Sequence, residues 1–403
     1  MKRSPLAILF LTVFIDLLGF GIIIPLQPFY AKHLGADGFM VGMLSASYSF
    51  AQFLFSPIWG RLSDRIGRRP VLRFSMVMQA LGFFIFGYAD SLPLLFVARI
   101  LAGVGGANIS TAQAYIADVT PPEGRAKGMG LIGAAFGLGF VLGPALAGIL
   151  AKAFNPSVPA YVAGALSLLN FLVASRFLPE SLKVLGKKGD PQASRGELFA
   201  QGLKVPRLGL LWFVFFCNTF AFAAFEPTFA LYANWRFNFD EAHTGYVFAF
   251  VGVIIAIMQG GVVGRLVKRV GEEPLVLAGI VCLGVALLLL PYAPTVPSLT
   301  ADMGLLAIGN ALIQPTITSL VSKASPFEYG GVLGVNQGLG SLARAGGPPL
   351  GGKLFDLSPT HGAPFLTAAA ILLFSLVVSV IGFRRFPEAL RVPGKEPSPV
   401  PVD

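Results

Sequence analysis

The chain has 403 residues, 55% of them hydrophobic and only 12% charged. A soluble chain carries roughly 25% charged residues, so this one has too few polar side chains to cover a water-facing surface. A formal net charge of +10 raises nucleic acid as a partner, and the placement of the basic residues excludes it.

The apolar residues come in runs of about 20, which match the hydrocarbon thickness of a bilayer. Met1-Lys2-Arg3 followed by an apolar run imitates a signal peptide. That run is too long, contains Asp16 and two prolines, and lacks a clear small-residue cleavage site. It reads as span 1 (6–31). Spans 39–61, 70–89, 93–117, 126–151 and 159–178 complete a first half, 1–180. Residues 181–207, with Lys183, Lys187, Lys188, Asp190, Pro191 and Pro206, read as a cytoplasmic linker. Spans 208–234, 242–266, 274–292, 297–320, 330–352 and 363–383 form a second half, 208–386. The proline-rich tail, 387–403, reads as disordered. Backbone in lipid must pair its own polar groups, so every span is expected to be a helix. The fold class is an all-α membrane protein of twelve transmembrane helices in two six-helix bundles.

The halves are related. Gly60-Arg61-Leu62-Ser63-Asp64-Arg65-Ile66-Gly67-Arg68-Arg69 has a degraded copy in Gly264-Arg265-Leu266-Val267-Lys268-Arg269-Val270-Gly271, 204 residues later, and the same offset maps Gly143-Pro144 onto Gly347-Pro348 and Gly148 onto Gly352. Three segments sharing one offset indicate a duplicated chain, the usual construction of a two-state transporter. Basic residues crowd the inner loops (61–73 and 176–207 above all), whereas the opposite loops hold Lys32, Lys152, Arg236 and Lys353. Such asymmetry places both termini in the cytoplasm. Cys217 and Cys282 lie within spans, with no disulfide framework or metal spacing. No nucleophile–base pair, metal cluster or phosphate loop is present, so neither an enzyme nor a cofactor is expected. His33, His243 and His361 lie in or beside outer loops and read as solvated surface residues.

Four charges lie deep in spans: Asp16, Arg99, Glu226 and Arg344. A midplane charge costs at least ~2.5 kcal/mol and faces a partner or a cavity. At ~1.5 Å per residue, Asp16 and Arg99 differ in depth by roughly 6 Å, within reach of an arginine. Two readings stand: proton coupling through these groups, or a permanent ion pair. Gln27 shares a face with Asp16, Gln113 with Arg99, and Asn310 with Gln314, while Phe215, Phe222, Glu226 and Phe229 form one stripe. One cavity between the halves explains all these stripes; the alternative is helix–helix hydrogen bonding with lipid-facing phenylalanines.

With these residues in hand, the chain resembles the major facilitator superfamily, specifically its twelve-helix drug:proton antiporters, the tetracycline efflux pumps among them. The loop motif G-x-L-a-D-r-x-G-r-k is matched by Gly60, Leu62, Asp64, Arg65, Gly67, Arg68 and Arg69. The first-helix motif is matched by Leu18, Gly19, Pro25 and Pro28, and the fourth-helix motif by Arg99, Gly103 and Gly105, with Ala102 in place of Gln. The fifth-helix antiporter motif is matched by Gly139, Gly143, Pro144 and Gly148, with Ala147 in place of Gly. The resemblance implies the pseudo-symmetric major facilitator fold. It also implies a gate in which Asp64 sits against the start of helix 11 and Arg68 pairs with Asp118, latching an outward-open state. Basic topology alone also accounts for that loop. Gly82 and Leu283 stand where the tetracycline pumps carry acids within helices 3 and 9, and Lys268 stands where Asp64 would recur. Tetracycline itself is therefore not the expected cargo, and coupling rests on Asp16 and Glu226. Arg344 lies outside the family pattern; its match to Glu226 is read from charge balance.

The expected function is proton-driven export of small lipophilic compounds, cations among them, by alternating access, from a monomer in a bacterial inner membrane. The expected partners are the cargo, protons and the lipid bilayer. The rivals are an exporter of sugars, metabolites or lipids on the same scaffold, and a receptor that binds cargo without moving it.

Overall fold

A computed structural model describes residues 5–121, 125–182, 195–327 and 329–386. Residues 183–194 of the expected linker and the expected tail, 387–403, lie outside the described residues. Among those described there is no strand. In chain order the helices are α1 (Pro5–His33), α2 (Gly38–Ile66), α3 (Arg68–Tyr88), α4 (Leu92–Gly106), α5 (Ile109–Val119), α6 (Arg125–Ala153), α7 (Val158–Phe177), the short α8 (Arg195–Leu203), α9 (Pro206–Phe237), α10 (Glu241–Ile257), α11 (Val263–Val270), α12 (Glu272–Leu289), α13 (Val296–Ala324), α14 (Tyr329–Leu357) and α15 (Ala363–Arg385).

α4 and α5 together make one span, broken after Gly105-Gly106, and α10 and α11 make another through a π-helical turn at Met258–Val262. Among the described residues, eleven stretches are long and apolar enough to cross a membrane. α14 is the twelfth long helix. Asn336, Gln337, Arg344 and its glycines make it less apolar, which its position packed between α2 and α9 tolerates. The chain is a multi-pass membrane protein with the twelve-helix architecture expected. Apolar side chains such as Leu168, Leu169, Leu172, Leu373 and Phe374 are exposed on its perimeter, where lipid tails replace water as solvent.

An even number of spans puts Pro5 and Arg385 on one side, called here the termini side; the other is the far side. The duplication shows in the packing. α6 lies against α1 of its own half and α10 of the other, and α14 lies against α9 of its own half and α2 of the other. Glycine makes these crossings close. A Cβ at Gly143 would fall 2.6 Å from the backbone of Gly21, and one at Gly245 would fall 2.6 Å from the Pro144 carbonyl oxygen. At Gly347, 204 residues beyond Gly143, it would fall 2.6 Å from the Phe220 carbonyl oxygen.

The contacts between halves belong to the far side and the middle. Gly148 meets Ala242, Gly252 meets Phe140, and Lys32 donates to Asn234 at 2.7 Å. Toward the termini side α6 and the α10–α11 span part company: a Cβ at Gly130, Gly133, Gly137, Gly260, Gly261 or Gly264 would meet nothing within 4 Å. The halves are closed on the far side and separated on the termini side.

Candidate functional site

Beneath the far-side closure lies a cavity at the junction of the halves. α1 contributes Gln27, α2 Ser45, Tyr48 and Ser49, and α4 Arg99; α9 contributes Glu226, and α14 Arg344. Its volume is about 40 Å³, room for a few waters and not for a drug-sized molecule.

The guanidinium of Arg99, buried, lies over the Tyr48 ring, 4.5 Å from its centroid, a cation–π contact strengthened by exclusion of water. Its Nε has no hydrogen-bond partner. Glu226 is within electrostatic reach of Arg344 and Arg99. Arg344 donates to Ser341 at 3.4 Å, Ser341 to Gln52 of the other half at 3.5 Å, and Gln52 to the Gly106 carbonyl at 2.9 Å. Gln27 ties α1 to α2 by donating to Ser45 Oγ at 2.7 Å.

Asp16 is elsewhere. It is buried inside the first half, where Asn108 Nδ2 donates to Oδ2 at 2.6 Å and Asn170 Nδ2 donates to Oδ1 at 3.3 Å. Asn108 also reaches Ser75 Oγ, and Asn170 the Thr12 carbonyl. The expected proximity of Asp16 and Arg99 does not produce a pair. Depth along a helix says nothing of azimuth, and Arg99 turns to Tyr48 while Asp16 turns to two amides. Asp16 therefore lies in a neutral polar nest rather than in the cavity.

The remaining expected cargo residues are also set apart from that cavity. Phe229 is fully buried, its ring 5.4 Å from those of Phe225 and Phe248; the Phe222 ring lies tilted against Phe225 at 5.8 Å, and Phe215 is buried in the same core. Gln113, Asn310 and Gln314 are half-buried and do not line the cavity.

On the termini side, Gly67 joins α2 to α3 with φ +104°, a conformation glycine supplies without strain. Arg68 reaches Asp118 at 3.1 Å, Asp64 at 2.5 Å and Ser63 Oγ at 2.7 Å. Arg69 donates to the Ser175 carbonyl, Arg65 is exposed, and Gly60 lies beside Ser110. The Glu180 carboxylate accepts from the Arg68 and Arg69 amides at 2.9 and 3.1 Å, so it caps the start of α3. In the second half Gly271 takes φ +86° and the ion pair recurs with its signs exchanged: Glu272 opens α12 and Lys323 reaches it at 2.9 Å. An acid suits a helix N-terminus and a base does not, which is why α3, opening on Arg68-Arg69, has Glu180 and α12 needs no such helper.

Sequence reasoning did not single out Tyr48, Asn108, Asn170, Glu180 or Asp356. For Asn108 and Asn170 a signal existed: an amide within an apolar span needs a partner. Glu180 follows an apolar span at a loop and has no local signature.

The sequence model of the family described as Major Facilitator Superfamily matches residues 9–348 and again 211–403. "Multidrug resistance protein 2" of Bacillus subtilis (strain 168) is 30% identical, covering 94% of this chain and 95% of its own. "Tetracycline resistance protein, class D" of Salmonella ordonez is 30% identical, covering 94% and 96%. Among solved structures, the human organic anion transporter MFSD10 (TETRAN) superposes with a TM-score of 0.70 at 26% identity, covering 94% of this chain and 99% of that one.

Proposed function

The chain belongs to the major facilitator superfamily, a family of transporters rather than enzymes, and from that premise we propose that it is a proton-coupled antiporter. It exports small lipophilic drugs across a bacterial inner membrane by alternating access, with the termini side in the cytoplasm. Relatives named for multidrug and tetracycline resistance support the cargo class. The observation that carries the reading is Glu226: a carboxylate that lines the same small cavity as Arg344 of its own half and Arg99 of the other. A proton on Glu226 removes its attraction for Arg99, and so alters the energy of holding the two halves together. Asp16, with no cationic partner among its contacts, is a second carboxylate that a proton can neutralise. Gln27 lines the cavity in this conformation; Gln113, Phe215, Phe222, Phe229, Asn310 and Gln314 join the cargo surface in other states of the cycle.

In everted vesicles, Glu226→Gln and Asp16→Asn should each abolish drug export driven by an imposed pH gradient. Undiminished gradient-driven export in either variant removes that residue from the coupling. The termini-side gate is proposed on the same premise. In the far-side-open state Asp64 leaves Arg68 for the first turn of α14, where helix N–H groups favour an anion. Gly139, Gly143 and Pro144 keep α6 close to α1 as the halves rock.

A second reading concerns cargo charge. The cavity holds two guanidiniums against one carboxylate, which favours an organic anion over a cation. Competition between lipophilic anions and cations for uptake into proteoliposomes separates the two.

A further inference from the structure

The far side of the molecule carries an ionic clasp between the halves. Asp356, in the last turn of α14, points its carboxylate at the first turn of α2: Gly38 N–H donates to Oδ1 and Phe39 N–H to Oδ2, both at 2.8 Å. The next amide, Met40, is capped by Asp37 Oδ1 at 2.8 Å, and the Val41 amide bonds to the Asp37 carbonyl at 3.1 Å. Three N–H groups that the helix start leaves without an internal partner, those of Gly38, Phe39 and Met40, are thus satisfied, two of them only through the opposite half.

An aspartate at the end of its own helix faces the negative end of that helix's dipole. α14 has no base in its last turn to offset it, so Asp356 is ill placed for α14 and well placed for α2. α2 repeats the arrangement in reverse, with Asp64 near its own end on the termini side. The 204-residue repeat puts Lys152 at the place of Asp356. Lys152 ends α6 with the sign its own helix favours, and neighbouring α10 is capped by its own Asp240. The clasp therefore belongs to the α2–α14 pair and not to its pseudo-symmetric equivalent.

We propose that Asp356 is a gating residue of the transport cycle, holding the far side shut through the α2 N-terminus and releasing it when the halves rock. It is the counterpart of Asp64: each of two antiparallel helices lends a carboxylate near its end to the start of the other, one clasp for each closed face. The present state, closed on the far side, has the Asp356 clasp made and Asp64 turned to Arg68.

The proposal rests on the alternating-access reading, and its test needs no cargo or proton gradient. Ala223 lines the cavity beneath the clasp. In a background with Cys217 and Cys282 changed to Ser, Ala223→Cys is labelled by a membrane-impermeant maleimide applied from the far side of right-side-out vesicles. Asp356→Ala should raise the labelling rate roughly threefold to tenfold, the population shift expected from losing one charged helix cap. Asp356→Asn, which keeps the shape and loses the charge, should raise it less. Lys152→Ala, a charge change at the equivalent position, should leave the rate unchanged. Rates within twofold of the parent in both Asp356 variants overturn the proposal, as does an equal rise in Lys152→Ala. Failure of drug export alone, with the labelling shift present, would count against the antiport reading and not against the clasp.

Discussion

Glu180 and Asp240 show how much single carboxylates at helix starts decide. Glu180→Ala strips the α3 amides of Arg68 and Arg69 of their acceptor beside two basic side chains. We expect a loss of about 1–2 kcal/mol, read as a lower Tm in detergent, with Glu180→Gln recovering part of it. At Asp240, burial pushes the carboxyl up, but the His243 amide and ring and the Ala242 amide outweigh it and hold the carboxyl below the usual carboxylate range. With the folded value depressed, the stability Asp240 contributes is present above the unfolded value of about 3.9 and fades as pH falls through the folded one. The Tm deficit of Asp240→Ala should therefore be full at neutral pH and shrink below about pH 4. Water around this half-exposed group makes it smaller than the ~1 kcal/mol of a sheltered cap. The four interior charges were legible in the sequence because a charge in an apolar run is conspicuous. Their partners were not, because spacing along one helix carries no information about which neighbour a side chain turns to; Asp16 finding Asn108 and Asn170 is the clearest instance.

At the scale of the helix, two glycine crossings of the same kind have different jobs. Gly143 lies at α1–α6, inside one half, and Gly245 at α6–α10, between halves. A methyl at either falls about 2.6 Å from backbone, closer than the neighbour can yield without moving. Gly143→Ala should lower Tm by several degrees without changing which face is open. Gly245→Ala should instead wedge the far side apart and raise labelling of Ala223→Cys from that side. Equal behaviour of the two variants would refute this division. The spans were legible because hydropathy and length alone identify them. The break between α4 and α5 and the π turn after α10 were not, since both hang on glycines whose consequence depends on what packs alongside. α14, read as span 330–352, is the long helix whose composition is least like a span, since Asn336, Gln337 and Arg344 interrupt its apolar run.

At the scale of the whole molecule, the 204-residue repeat pointed to two equivalent bundles, and the structure adds which helices meet across them: α6 with α10 and α14 with α2. The repeat could not foretell the exchange of signs between Arg68–Asp118 and Glu272–Lys323, or that the far side carries its clasp on one helix pair alone. The surplus of positive charge in the central cavity has a further consequence for thermodynamics. On the proposed coupling through Glu226, a cation drawn to that carboxylate would compete with the proton for one seat, and that rivalry would make the two species cross in opposite directions. An anion held by Arg99 and Arg344 would leave that seat to the proton alone. The sign of the passenger's charge would then decide whether the proposed exchange has a shared site to contest.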